Sequence, residues 1–252
     1  MYPVPRSQFK DPTWMTANIH DGKGEKVACI THMDVQDTDI PVTTSEGYEF
    51  LCSYSWKRTA QPTIYVPGTP PRYAPPPLPR QLAKDQGMHW VDQHRHRVAR
   101  FQFEPIFQSL AVMNPNVRFD SVDIVVNRNT LQKLLLFASL KRNYKPFYVD
   151  LDMVGKTMFI SRREYNAQTK AQSGYGRNFE TEFTSDDPGL VDADGHHRVI
   201  KYNIGGIEMV IRIEADGYLK GKNSITPTSS GEKDESNDRT PNEFFLNFLD
   251  TM

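Results

Sequence analysis

A chain of 252 residues, 38% of them hydrophobic, with a mean hydropathy of −0.60, is long enough to bury one substantial core and polar enough to carry tails or loops beside it. Thirty basic residues against 31 acidic ones leave a formal net charge of −1, which excludes a molecule-wide basic field, so an RNA ligand would need a local basic patch. Two cysteines, Cys29 and Cys52, and the lack of a secretory or membrane-length apolar run exclude a disulfide scaffold, a cysteine zinc site and a membrane span, and point to an intracellular protein of nucleus or cytoplasm.

Residues 1–45 mix Pro, Asp, Lys and Thr without periodicity and read as an N-terminal arm. A core follows over 46–221. Its first strand is Tyr48 to Trp56, aromatic and β-prone. From Pro62 to Arg80 the prolines remove amide donors and fix φ, predicting an extended strap across the domain, or a ligand for a protein partner. His94, Arg95, His96 and Arg97 read as a solvated loop in preference to a metal or phosphate site. Phe103 to Asn114 has apolar residues at helical spacing with Asn114 and Pro115 as a stop. Val122 to Val126 is a buried-strand run. Thr130 to Leu140 is a helix with Leu131, Leu134, Leu135 and Ala138 on one face, capped by Asn129 or Thr130.

Phe147 to Val154 and Lys156 to Arg162 alternate as a hairpin turning at Gly155. Asn166 to Gly174 and Asp186 to His197 read as loops. A second hairpin, Arg198 to Asn203 and Ile207 to Ile213, turns at Gly205 and Gly206 and runs straight into Glu214, Ala215 and Asp216. Residues 222–252 read as a mostly disordered tail with a short apolar end, either a docking helix or a contact for a protein partner.

Glu214 and Asp216 are two apart on a strand, so both carboxylates project from one face. Paired carboxylates suit a hard divalent cation such as Mg²⁺, although an exposed strand end with two solvated acids looks identical. Gly174 to Glu180 (GYGRNFE) offers a further acid, Glu180. Arg128 stands between a strand and a helix, where backbone N–H groups favour phosphate, and Lys133 lies on that helix. A cation site beside an anion site is what phosphodiester hydrolysis needs.

VNRNTLQKLL (Val126 to Leu135), GYGRNFE (Gly174 to Glu180) and IEAD (Ile213 to Asp216) resemble, in order and interval, three motifs of the decapping exoribonuclease (DXO) family. The resemblance spans about Ser53 to Leu219. It implies an α/β (α+β) fold, a PD-(D/E)XK nuclease-like core of mixed β-sheet with flanking helices, and an Mg²⁺- or Mn²⁺-dependent hydrolase acting on the RNA 5′ end, whether cap, triphosphate or terminal nucleotide. Carried over residue by residue, Glu180, Glu214 and Asp216 would hold the metal and carry catalysis, while Arg128, Lys133 and Arg177 would meet the substrate.

The family's fourth motif, Glu-hydrophobic-Lys, has no counterpart. Lys220 and Lys222 are the nearest lysines beyond Asp216, and the adjacent Glu232 and Lys233 lack the spacing. Two functions stay open: an RNA 5′-end hydrolase, impaired or truncated, and a catalytically inactive relative that binds RNA or protein. Fungal proteins sharing the SYSW and PTIxVPGxPP phrases look closer still, and some bear the label of geranylgeranyl pyrophosphate synthase. The sequence argues against that activity, because Asp186 and Asp187 precede Pro188 and Gly189 in a loop instead of lying in a helical Asp-Asp-x-x-Asp motif.

Overall fold

The computed structural model describes residues 28–35, 47–98, 101–139, 147–163, 167–170, 174–219 and 244–246. The arm and tail therefore lie almost wholly outside the described residues, as do Lys220 and Lys222. In chain order the strands and helices are β1 (Glu49–Lys57), β2 (Ile64–Tyr65), β3 (Arg72–Tyr73), β4 (Met88–Trp90), α1 (Gln93–Arg97), α2 (Glu104–Met113), β5 (Ile124–Asn127), α3 (Arg128–Ala138), β6 (Tyr148–Val154), β7 (Thr157–Arg163), β8 (Gln168–Lys170), α4 (Gly176–Phe183), β9 (Thr184–Ser185), β10 (Ala193–Ile204), β11 (Ile207–Ala215), β12 (Gly217–Leu219) and β13 (Phe244–Leu246).

Seven strands form one mixed sheet in the order β2-β1-β10-β11-β5-β7-β6. Pairing is antiparallel from β2 to β11, parallel through β11, β5 and β7, and antiparallel again at β6. This is the mixed sheet with flanking helices that the family resemblance implies. Side chains alternate across a strand, so each sheet face has its own core. On one face Tyr54, Trp56, Val125, Val199 and Val210 pack with Ile106 and Leu110 of α2. On the other, Val126, Ile160, Met209 and Ile211 pack with Leu131 and Leu134 of α3. Among the described residues no helix is long and apolar enough to cross a membrane.

The proline-rich segment is anchored to the domain and contributes two short strands. Ser55 Oγ donates to the Thr69 carbonyl at 3.3 Å, the Ala74 N–H donates to the Phe183 carbonyl at 2.7 Å, and β3 joins a small sheet in the order β13-β12-β3-β9. Gly68, at φ +63°, lies so close that an added Cβ would stand 2.7 Å from the Ser55 amide nitrogen.

Several expectations need correction. α3 starts at Arg128 with Asn127 at its N-cap, since a strand running straight into a helix leaves no room for a turn. Leu135 is 53% exposed and Ala138 is exposed, so the side turned to the sheet carries the half-buried Leu131 and Leu134 beside the fully buried Thr130. Part of the expected 166–174 loop is β8, which pairs with β4. The expected 186–197 loop ends at Ala193, where β10 begins, because pairing with β1 extends the strand through His196 and His197. Within the apolar C-terminal end, Phe244–Leu246 is a strand paired with β12 and not part of a helix, while the rest of that end lies outside the described residues. His94 to Arg97 lie on a short helix, and their side chains are engaged in the fold.

Candidate active site

β5, β7 and β11 run parallel, with Arg212 opposite Asn127 and Val126 opposite Ile160. Their carboxyl ends therefore share one edge, where open sheets usually take their ligands. Glu214 is the last residue but one of β11 at that edge, Arg128 follows β5, and Arg162 and Arg163 end β7. Glu214 projects from the face carrying Val210 and Arg212. α3, with Lys133, packs on the opposite face. Arg128 thus stands at the same edge as Glu214, while the helix it begins, which carries Lys133, covers the other side of the sheet.

The strand stops at Ala215, so Asp216 lies just beyond it. Even so, Glu180, Glu214 and Asp216 come together electrostatically. Burial raises the Glu180 carboxyl to about 7, with the charges of Asp216, Glu214 and Asp85 adding and Arg177 opposing. Glu214 is likewise raised to about 7, first by burial, then by Asp216, with Asp194 and Asp92 adding and Arg177 opposing. Water reaches the Glu214 side chain, yet protein closes round it enough to desolvate it. Both statements hold for a group on the floor of a concave recess. The cation in this recess is Arg177, and Glu180 Oε1 is buried without a hydrogen-bond partner.

Helix α4 brings Glu180 into place. It buries Phe183, which stacks on Phe179 with 4.3 Å between ring centroids, and its amino end is held by Asp85, whose carboxylate accepts the backbone N–H groups of Arg177 (3.2 Å) and Asn178 (3.0 Å). A carboxylate there satisfies orphan donors and opposes the helix dipole.

Under the acids lies a buried polar bed that the sequence did not reveal. His94 Nε2 accepts the Tyr54 hydroxyl at 2.6 Å and the Trp56 indole N–H at 3.3 Å. The Arg212 guanidinium, 3% exposed, donates to the Tyr54 oxygen (3.2 Å), the Gln102 carbonyl (2.7 Å) and Asn127 Oδ1 (2.8 Å), and lies 5.2 Å from the Phe103 ring centroid. Arg97 pairs with Asp194 and covers the Trp56 ring. Burial, reinforced by the Arg212 charge, holds His94 and His197 well below the usual imidazole range. Both rings are therefore neutral at pH 7.

In kind, the donors fit a hard divalent cation: carboxylates raised by burial and by one another's charge, and one buried oxygen lacking a partner. They do not form a finished cage, because among the described residues no three His, Cys, Asp or Glu side chains stand in position to hold one ion. His197, Asp194, Asp92, Asp85 and Arg212 were missed by sequence reasoning. The one available signal for His197 was the strand alternation of RVIKYN, which continues upstream through HH.

A family model described as "Domain of unknown function (DUF8563)" matches residues 25–237. The chain belongs to that family. No curated protein matches it. Among solved structures it is similar to S. pombe Rai1 in three forms. A mutant with three glutamates replaced, in complex with 3′-FADP, is 16% identical with a TM-score of 0.50. The complex of Rai1 with 3′-FADP is 17% identical at 0.48, and Rai1 alone is 15% identical at 0.45. In each case 77% of this chain and 59% of the other are covered, so the chain matches well under two thirds of those proteins. The likeness to the mutant supports a fold of the Rai1/DXO kind. These findings lend no support to the prenyl diphosphate synthase label.

Proposed function

We propose that the protein is a divalent-metal-dependent hydrolase acting on the 5′ end of RNA. What supports this is the mutual charge interaction of Glu180, Glu214 and Asp216 near the carboxyl ends of parallel strands, in a fold like that of S. pombe Rai1. Three acids in one recess repel one another, and a divalent cation is the ordinary remedy. Glu180, Glu214 and Asp216 would hold Mg²⁺ or Mn²⁺, which when bound polarises a phosphoryl oxygen and lowers the pKa of water. Arg177 lies beside the acids and would neutralise charge developing on phosphate, while Arg128 on the same edge would bind the 5′ phosphates.

The experiment is turnover of 5′-triphosphate, 5′-capped and 5′-monophosphate RNA by the purified chain with Mg²⁺ or Mn²⁺. Release of a 5′ product, lost in Glu214→Gln, is expected. Complete inactivity of the folded chain on all three substrates would overturn the reading. One observation favours a second function, an inactive RNA-binding module: the cation whose charge acts on both Glu180 and Glu214 is an arginine, Arg177, in place of a lysine. That function predicts RNA binding without turnover in the same assay.

A further inference from the structure

One imidazole nitrogen in the bed beneath the acids is left without a partner. His197 on β10 stands directly opposite Glu214 on β11, and directly opposed side chains of an antiparallel pair share a face. The residue is 4% exposed, yet its Nε2 makes no hydrogen bond. Buried polar atoms are nearly always bonded, so an unbonded one calls for a reason. Packing fixes the ring, with the Tyr54 and His94 centroids at 5.1 and 4.3 Å.

Gly195 shows where the free nitrogen points. A Cβ added there would stand 3.2 Å from Glu214 Oε1 and 3.7 Å from His197 Nε2. The two atoms thus flank one place, and the glycine keeps it clear of side chain. A core histidine of purely structural purpose would be expected to spend both nitrogens on protein partners. This one keeps a buried nitrogen unbonded beside the place it shares with Glu214 Oε1.

We infer that His197 Nε2 forms a hydrogen bond to the water that attacks phosphorus, making His197 a catalytic residue. The inference rests on the hydrolase function proposed above. Hydrolysis needs a group that orients the nucleophilic water as well as groups that hold the phosphate. In the step, the water oxygen bonds to phosphorus, the bond from phosphorus to the leaving oxygen breaks, and the proton given up by water ends on that leaving oxygen. His197 orients the water and undergoes no net change.

The test compares wild type with His197→Phe, which fills the space without a nitrogen, His197→Gln, and His197→Gly with and without added imidazole. Each is measured for melting temperature, affinity for 5′-triphosphate RNA, and single-turnover hydrolysis with Mn²⁺. Loss of kcat by about 100-fold in the Phe variant is expected, with KM and RNA affinity unchanged and part of the turnover of His197→Gly restored by imidazole. Full kcat in a folded Phe variant overturns the inference and leaves the hydrolase function standing, whereas His197→Gln, whose amide can hold the same water, is expected to keep part of the turnover. Should the Phe variant fail to fold, the glycine variant decides, and absence of imidazole rescue overturns the inference. A wild type inactive on every RNA overturns both.

Discussion

Asp85 Oδ1 accepts the Asn178 N–H at 3.0 Å, so the residue that begins helix α4 electrostatically lies more than ninety positions upstream of it. Asp85, five residues beyond the end of the strap, thereby helps to set the position of Glu180. Asp85→Ala should lower stability by about 1 kcal/mol, the scale of a lost N-terminal cap, and should loosen the recess. Thermal melts with and without Mn²⁺ would check this: the metal-induced rise in Tm should shrink, and an unchanged rise would show that Glu180 is held by other contacts.

Gly68→Ala should be more damaging than its size suggests. At φ +63° the added methyl would meet the Ser55 amide nitrogen, and a backbone atom within a buried strand cannot move aside cheaply. A loss greater than about 1 kcal/mol is expected from the left-handed backbone alone. Urea titration against wild type measures it, and a neutral result would mean that the strap is not pressed against β1.

The pH dependence of stability has a definite sign. Glu180 and Glu214 are raised to about 7 in the fold from an ordinary value near 4.3 when unfolded. Between those values the native state holds protons that the unfolded chain has released, so these groups make stability fall as pH rises through the window. The buried His94, His196 and His197 act oppositely: with folded values depressed, they make stability fall as pH drops below about 6.5. Glu214→Gln should therefore raise Tm more at pH 8 than at pH 5. An equal rise at both would remove Glu214 from the recess electrostatics.

Metal linkage offers an independent check. A cation bound to the native state alone contributes about 2.7 kcal/mol at a concentration of 100 Kd. For a domain of this size that is a Tm rise of several degrees. Mn²⁺ should give such a rise in wild type and a smaller one in Glu180→Gln and Glu214→Gln. The same small shift in all three proteins would refute metal binding by these acids.

Arg128→Ala should weaken binding of 5′-phosphorylated RNA by about 1–3 kcal/mol, the scale of a charge-assisted hydrogen bond, with little change in Tm. Fluorescence anisotropy and a melting curve separate the possibilities: lost stability with unchanged affinity would make the arginine structural.

Local signals carried much of this fold. The hairpins at Gly155 and at Gly205 and Gly206, helix α2 and strand β5 follow from alternation, helical spacing and turn residues close together in the chain. Less was legible where the partner is remote. β8 is a strand because β4 lies beside it, and β10 reaches back to Ala193 because β1, about 140 residues earlier, pairs with it. The candidate site divides the same way. Glu214 and Asp216 could be read from their spacing, whereas His197, Arg212 and Asp85 acquire a role only through cross-strand register and long-range hydrogen bonds, neither of which is written in neighbouring residues.

The pairing of β1 with β10 also governs how the chain can be made. Contacts between segments so far apart must wait for the intervening chain to be closed into a loop, and such topologies fold slowly. During synthesis, β1 emerges with Leu51, Cys52, Tyr54 and Trp56, all buried in the finished protein, long before the ribosome has added the strand that covers one of its edges. A nascent chain stalled before Ala193 would expose that apolar, β-prone run with an unpaired edge, the feature that invites association between chains. Such chains should engage chaperones until His196 and His197 have left the exit tunnel.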